Sequence, residues 1–279
     1  MSRIYDALQQ TEKEKGQSGL AVFPAFADLA NEAPLQDPEF KAAKAVKFNT
    51  PRDSRLVAFS EPQSLGAEKF RVLATRLDHL RRQKEIKSIQ VTSSVINEGK
   101  TLVAANLAVT FAQRTRSRVL LLEGDLHRPS LGRLLGVSEA KGLSHWWSEQ
   151  LDIGHFLCQV DGMPLWFLSA GTVYQQPSQI LQSSRFAEAF NWLTQHFDWI
   201  VVDSTPMLPI ADVNLWSRLV DGSLLVVREG VAPREAVKRG MQALDNPKFV
   251  GAVINGASKA DKGYYAGGYY GASNEMSKS

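Results

Sequence analysis

Short runs of consecutive apolar residues alternate with helix-like patterns along most of the chain. Such runs predict strands that are buried on both faces, and apolar residues three and four positions apart predict helices. The predicted strands are 88–93, 118–123, 165–170, 198–203, 222–228 and 249–255, and the predicted helices between them are 102–113, 186–196 and 235–244. This alternation predicts an α/β fold with a mostly parallel sheet, helices on both faces and a ligand site beyond the carboxyl ends of the strands.

The pattern weakens towards both ends of the chain. An apolar stripe from Leu65 to Leu80, opened by Ser64 as a candidate cap, predicts a helix ahead of the first strand. Residues 1–55 begin with a short helical pattern and continue as a Pro/Ala-rich stretch, and residues 259–279 are polar and rich in Gly and Tyr. We therefore predict a single domain over 56–258, preceded by a flexible tether and followed by a flexible tail.

Composition narrows the class of protein. A hydrophobic fraction of 44% and a charged fraction of 22% are typical of globular chains and exclude a mostly disordered or coiled-coil protein. The net charge of +3 is too small to indicate a nucleic-acid partner, and we expect none. The single Cys158 excludes an intramolecular disulfide, and no apolar run approaches the roughly 20 residues that span a bilayer. With no secretory signal pattern at the N-terminus, we expect a cytoplasmic protein.

The sharpest chemical signal is S-S-V-I-N-E-G-K-T at residues 93–101, between a predicted strand and a predicted helix. Backbone N–H groups of such a loop, together with the helix N-terminus, form a cradle for phosphate groups. Lys100 would reach the β- and γ-phosphates and Thr101 would bind Mg²⁺, although Ser94 stands where the phosphate-loop pattern has its first Gly. We expect nucleotide contacts from Ser94, Asn97, Glu98, Gly99, Lys100, Thr101 and Leu102.

Carboxylates follow two other predicted strands at the same edge. Glu123 and Asp125 end one strand and, being two apart, are predicted to point to the same side, which suits a hard cation. Asp203 ends another strand, where nucleotide hydrolases and kinases place an acid that holds the Mg²⁺ shell. Ordinary solvated acids at strand ends are the alternative interpretation. We expect Thr101, Asp125 and Asp203 as metal ligands, and Lys100, Glu123, Asp125 and Asp203 as catalytic residues.

In this order the motifs resemble those of the bacterial tyrosine kinases of the CpsD/CapB type, which control capsule and exopolysaccharide export. The Walker A loop of that family, S-S-x-x-G-E-G-K-[ST], is similar to residues 93–101. Its second Walker motif, an apolar triplet followed by D-x-D-x-R, is similar to residues 120–127, and its Walker B motif to residues 200–206. The resemblance extends from about Leu56 to the C-terminus and includes the V-V-R at residues 226–228.

The resemblance implies a P-loop NTPase fold, ATP and Mg²⁺ as cofactors, and an autokinase that phosphorylates a tyrosine cluster on its own tail. Here that cluster would be Tyr264, Tyr265, Tyr269 and Tyr270. Phosphorylation would regulate polysaccharide polymerisation and export. The implied partners are a Wzz-like membrane co-polymerase that activates the kinase and recruits it to the inner face of the membrane, a protein-tyrosine phosphatase, and further copies of the chain.

Independently of the resemblance, the tail would leave the sheet on the nucleotide edge if strand 249–255 is parallel to the phosphate-loop strand. Two positions depart from the family pattern: Glu123 replaces its Asp and His127 replaces its Arg. The family's subunit-contact motif E-x-x-R-x-x-R also loses its second Arg, because Ala74 stands there. These departures leave open a non-catalytic nucleotide-binding regulator as an alternative.

A second alternative is a ParA/MinD-like deviant Walker ATPase, which hydrolyses ATP to switch its dimerisation. That group carries a signature lysine directly after the first Gly of the loop, whereas this chain has Val95 there. A tyrosine-rich tail has no role in such an ATPase.

Overall fold

The structure, a computed structural model, describes residues 44–50, 54–114, 117–137, 140–172, 176–208, 212–243 and 248–257. In chain order the strands are β1 (Lys44–Val46), β2 (Ser88–Ser93), β3 (Val119–Glu123), β4 (Cys158–Val160), β5 (Leu165–Leu168), β6 (Trp199–Asp203), β7 (Gly222–Arg228) and β8 (Phe249–Asn255). The helices are α1 (Val57–Ser60), α2 (Leu65–Lys84), α3 (Lys100–Arg114), α4 (Leu131–Leu135), α5 (Leu143–Glu149), α6 (Pro177–Leu181), α7 (Ser184–His196), α8 (Asp212–Leu219) and α9 (Arg234–Ala243), with a 3-10 helix at Ile153–Phe156. None of these described helices combines the length and the apolar character needed to cross a membrane.

All eight strands belong to one sheet in the order β1-β4-β5-β3-β6-β2-β7-β8. Neighbouring strands are parallel except for β4 and β5, which are antiparallel. The prediction of a mostly parallel α/β fold of the P-loop type is therefore confirmed. Strand β2 lies between β6 and β7, so the chain that leaves β2 is close to the carboxyl ends of both neighbours.

Helices cover both faces of the sheet. Successive strand residues point to opposite sides, so each apolar strand presents side chains that must be buried on both faces. In β3, Val119 and Leu121 belong to the core cluster on the α3 side, whereas Leu120 and Leu122 belong to the cluster on the α7 side. On the first side, Phe111 of α3 stacks on Trp199 with ring centroids 4.3 Å apart. Both faces of the sheet are thus buried from solvent, which explains the near-continuous apolar runs in the sequence.

The predicted helix after Ser64 is also confirmed. The Ser64 side chain accepts a hydrogen bond from the backbone N–H of Ala67 at 3.2 Å, the geometry of an N-cap. The helix runs to Lys84 and ends where Glu85 adopts a left-handed backbone conformation, φ 53°.

The sheet contains two strands that the sequence pattern does not predict, β1 and β4. Each has three residues, which is too short to show a period, and β1 is a largely exposed edge strand. Strand β1 lies inside the segment predicted as a tether, so that description does not hold for residues 44–46. The predicted phosphoacceptors Tyr264, Tyr265, Tyr269 and Tyr270 lie outside the described residues.

Candidate active site

The phosphate loop connects β2 to α3 at the carboxyl edge of the sheet. Two of its residues have left-handed backbone conformations, Asn97 with φ 65° and Gly99 with φ 92°. Alternation of this kind turns successive backbone N–H groups towards one concavity, which binds anions. Helix α3 begins at Lys100 directly after the loop and adds the positive end of its dipole. The geometry is that of a phosphate cradle.

A buried carboxylate braces this loop from within. Glu98 is fully buried, and its two carboxylate oxygens accept hydrogen bonds from the backbone N–H groups of Val95 at 2.8 Å and Arg228 at 3.1 Å. The side-chain amide of Asn255 donates to the Glu98 backbone carbonyl at 2.8 Å. A Cβ atom on Gly99 would collide with the same Asn255 amide, so the position requires glycine. The loop is therefore tied to the ends of β7 and β8.

Three other predicted nucleotide contacts lie in the loop or directly after it. Ser94 is fully buried, and its hydroxyl has no hydrogen-bond partner among the described residues. Leu102 is half-buried in the first turn of α3, where its carbonyl accepts from the side chain of Asn106 at 2.9 Å. Asn97 is exposed at the tip of the loop.

Lys100 forms the centre of the charged cluster at this edge. Its ammonium group lies 3.1 Å from Oδ2 of Asp125 and 3.4 Å from Oδ1 of Asp203. The Thr101 hydroxyl is 3.3 Å from the same nitrogen. The structure thus brings together four residues of the predicted site from α3, the β3–α4 loop and β6.

Burial and charge shift the protonation of this cluster. Burial by itself would lower the pKa of Lys100, but the charges of Asp203 and Asp125 outweigh it and raise that pKa above its ordinary value. Desolvation of Asp203 raises its pKa to about 6, and Lys100 offsets that effect only in part. Asp203 is fully buried, and its positively charged partner, Lys100, is also paired with Asp125. The cluster carries one positive and two negative charges, so it favours an added cation.

The donor set at this edge fits Mg²⁺. Oδ2 of Asp203 is buried with no hydrogen-bond partner in the described part of the chain. Buried polar atoms normally bind a hydrogen-bond donor, a water or an ion, so this atom is available to a ligand. The Thr101 hydroxyl and a carboxylate oxygen of Asp125 complete a set of hard oxygen donors. Mg²⁺ is usually bound by one or two carboxylates together with substrate phosphates. Thr101, Asp125 and Asp203 are the residues that would hold it.

Glu123 lies apart from this cluster in its contacts. Its carboxylate accepts hydrogen bonds from the backbone N–H groups of Leu131 and Gly132 on one oxygen, and from Ser169 and Ala170 on the other. The structure removes the basis of the prediction that Glu123 and Asp125 point to the same side, which stays a prediction. Strand β3 ends at Glu123, so the strand alternation on which it rests does not extend to residue 125.

Several residues contact the site although the sequence does not predict them as nucleotide, metal or catalytic residues. His127, at the position of the family's Arg, has its Nε2 2.9 Å from Oδ2 of Asp212 at the start of α8. The Ser130 hydroxyl lies 3.5 Å from that of Thr101. Arg228 and Asn255 contact the phosphate loop across sequence separations of 131 and 157 residues. The V-V-R motif was a signal for Arg228, whereas no local pattern indicates Asn255.

Comparison with known proteins identifies relatives over about three quarters of the chain. No protein-family model matches the chain. The chain is 31% identical over 204 residues to CapB of Staphylococcus aureus, which bears the name of a tyrosine-protein kinase; the match covers 72% of this chain and 89% of CapB. It is 29% identical over 218 residues to the tyrosine-protein kinase YwqD of Bacillus subtilis, covering 77% of this chain and 91% of YwqD.

The chain is also similar in structure to solved proteins. The kinase domain of the Escherichia coli tyrosine kinase ETK matches with a TM-score of 0.67 at 29% identity, over 74% of this chain and 82% of that one. The septum site-determining protein MinD of Pyrococcus horikoshii, solved with Mg-ADP, matches with a TM-score of 0.53 at 20% identity, over 62% of this chain and 72% of that one. At that identity the MinD match shows a common fold only.

Proposed function

Since this chain belongs to the bacterial tyrosine-protein kinases, we propose that it transfers the γ-phosphoryl group of ATP to tyrosines of its own C-terminal segment. The observation that carries the proposal is the cluster of Lys100 with Asp125 and Asp203 beneath the phosphate loop. A nucleotide bound in the cradle would place its γ-phosphate beside the Lys100 ammonium group.

Transfer of the phosphoryl group needs little covalent help from the protein, so positioning and electrostatics carry most of the catalysis. The tyrosine oxygen forms a bond to the γ-phosphorus while the bond to the β,γ-bridging oxygen breaks. ADP leaves, and the phenolic proton passes to a carboxylate of the cluster. Lys100 and the loop amides neutralise the charge that develops on the phosphate oxygens. Mg²⁺, held by Thr101, Asp125 and Asp203, would supply further charge neutralisation.

The sheet topology supports the tail as the acceptor. Strand β8 is parallel to β7, and β7 is parallel to the phosphate-loop strand β2, so the chain leaves β8 at the nucleotide edge. The ten residues from Ile254 to Tyr264 reach at most about 33 Å. Tyr264, Tyr265, Tyr269 and Tyr270 can therefore reach the site of the same chain or of a neighbour.

The decisive experiment is incubation of the purified chain with Mg-ATP, followed by detection of phosphotyrosine by mass spectrometry. We expect phosphate on the four tail tyrosines and none in the Lys100→Met variant. Lys84→Met, an exposed lysine on α2, is the matched control and should keep the activity of the unmodified chain. A variant with all four tail tyrosines changed to Phe should also lose the signal, whereas Tyr174→Phe should retain it. Phosphate on other tyrosines only would refute the tail as substrate.

We further propose that the kinase forms a homo-oligomer at the cytoplasmic face of the membrane, recruited and activated by a polysaccharide co-polymerase and reset by a phosphatase. Helix α2 supports an interface, because Leu65 and Val72 are exposed on it, at 50% and 40%. Its Glu68 and Arg71, which match the family's contact motif, form an ion pair with each other at 2.6 Å.

Phosphorylation of the four tyrosines would add roughly −6 to −8 charges to each tail. Repulsion between tails should then separate the subunits. Light scattering before and after incubation with Mg-ATP measures this directly: we expect a fall in mass. A mass that does not change after complete phosphorylation would contradict the proposed release.

A further inference from the structure

Glu123 is a buried acid that has no role in the proposed phosphoryl transfer. It ends strand β3 and is 2% exposed. One carboxylate oxygen accepts hydrogen bonds from the backbone N–H groups of Leu131 at 2.6 Å and Gly132 at 3.2 Å, at the start of α4. The carboxylate therefore reaches from the beginning of the β3–α4 loop to its end and closes it.

The second oxygen is also engaged. It accepts from the Ser169 hydroxyl at 3.2 Å and the Ala170 backbone N–H at 3.1 Å, both just after β5. An ionised carboxylate has about four lone-pair positions, and the donors here number four. Glu123 thus has no unused acceptor position for a metal ion or for a tyrosine proton.

The loop that Glu123 closes carries groups of the active site. Within it, Asp125 accepts from the backbone N–H of Arg128 at 3.0 Å through Oδ1 and faces Lys100 through Oδ2. At the end of the loop, the Ser130 hydroxyl lies beside that of Thr101. Fixing both ends of a short loop fixes the position of the side chains between them.

The length of the side chain explains why a glutamate stands here. One additional methylene carries the carboxylate about 1.5 Å farther from the strand than an aspartate would. That reach places it among the amides of α4 and the turn after β5. An aspartate in its place would leave at least one pair of these buried donors without an acceptor.

We propose that Glu123 is a positioning residue, which holds the loop that carries Asp125, and that it is neither the base nor a metal ligand of the kinase. The proposal rests on the proposed function and revises the catalytic role that the sequence suggests for this residue. Asp125 and Asp203 are then the only two acids of the predicted set that face the reacting groups.

The test compares Glu123→Gln with Glu123→Asp. Glutamine keeps the length and one oxygen for the α4 amides, so we expect it to retain more kcat than aspartate. We expect both variants to keep the acid limb of the kcat/KM pH profile, because that limb belongs to Asp203, whose pKa is raised by burial. The proposal is overturned if Glu123→Asp is near normal while Glu123→Gln loses about 10²-fold and the acid limb, since a general base contributes about 10²–10⁴-fold.

A binding measurement separates this proposal from the proposed function. Titration of Mn²⁺ with ADP present, followed by electron paramagnetic resonance, needs no phosphotyrosine. Partners that orient metal ligands typically change metal affinity about 10–100-fold. We expect Glu123→Asp to weaken Mn²⁺ binding by about tenfold and Glu123→Gln by less. Unchanged affinity in a folded Glu123→Asp variant would overturn the proposal, whether or not the chain phosphorylates itself.

Ser169→Ala provides a variant that leaves the carboxylate itself intact. It removes one of the four donors and should weaken Mn²⁺ binding in the same direction as Glu123→Gln. Thermal unfolding of each variant shows that it is folded before binding is measured. Tighter Mn²⁺ binding by Ser169→Ala would indicate that the freed carboxylate binds metal, against the proposal.

Discussion

The buried carboxylate of Asp203 is placed to bind a cation, but without a ligand it lowers the stability of the folded protein. Replacing it with Asn removes a fully buried carboxylate whose pKa is raised from 3.8 to about 6, mainly by desolvation. Such a group stabilises the fold below the pKa of the unfolded chain, and this contribution is lost as the pH rises through the folded pKa. At neutral pH the ionised Asp203 therefore lowers the free energy of unfolding.

The size of that cost follows from the two pKa values. A tenfold change in proton affinity corresponds to about 1.4 kcal/mol, so a rise from 3.8 to about 6 costs about 3 kcal/mol above pH 7. Asn cannot reproduce the contact with Lys100, which keeps Asp125 as a partner. We expect Asp203→Asn to raise the free energy of unfolding by about 1–3 kcal/mol at pH 7.5, or the melting temperature by about 2–4 °C per kcal/mol.

The assay is thermal unfolding without nucleotide and with a chelator, at pH 7.5 and pH 5.0. The gain should fall to about half at pH 5.0, because the wild-type carboxyl is then largely protonated in the folded state. Asp152→Asn, which removes the charge of an exposed acid, should change stability by less than about 0.5 kcal/mol. With Mg-ADP the order should reverse, since only the unmodified site gains binding energy. A variant less stable at pH 7.5, or a gain that does not shrink at pH 5.0, would refute the reasoning.

Three other changes test the scaffold around the site. Glu98→Ala removes the acceptor for the N–H groups of Val95 and Arg228 and should weaken ADP binding by about tenfold, measured by calorimetry, with Glu98→Gln closer to the unmodified chain. Gly124→Ala puts a Cβ 2.7 Å from Val202 and should cost about 1–3 kcal/mol in urea unfolding; a neutral effect would mean that β6 shifts freely. Lys248→Met removes the donor to three backbone carbonyls at the end of α8 and should cost about 1–2 kcal/mol, whereas an equally stable variant would show that water replaces the ammonium group.

Much of the site could be predicted because parallel strands deliver their carboxyl ends to one edge. The long apolar runs identify β2, β3 and β6 directly, and each is followed by a group with obvious chemistry. The meeting of Lys100, Asp125 and Asp203 follows from that topology without knowledge of side-chain conformations.

The direction of Glu123 could not be predicted in the same way. It depends on β3 ending at that residue and on donors 8 to 47 positions further along the chain. The brace around Glu98 likewise depends on Arg228 and Asn255, which approach only when β7 and β8 are in place. Local spacing carries no information on contacts of this kind. Strand β1 could not be predicted for a different reason, since three largely exposed residues show no period.

Asn255 is the last residue of an edge strand that has one neighbour, and its amide is bonded to the backbone of the nucleotide loop. Opening of β8 would break this bond and leave the bond from Arg228 of β7 to Glu98, and we expect β8 and the loop to open together as one cooperative unit. Hydrogen exchange should report equal opening free energies for the amides of β8 and those of residues 95–99, with Asn255→Ala uncoupling them. Exchange at clearly different rates in the unmodified chain would mean that the loop stands by itself. We therefore expect local opening at the end of β8, where the chain leaves the sheet, to weaken the hold on the nucleotide as well.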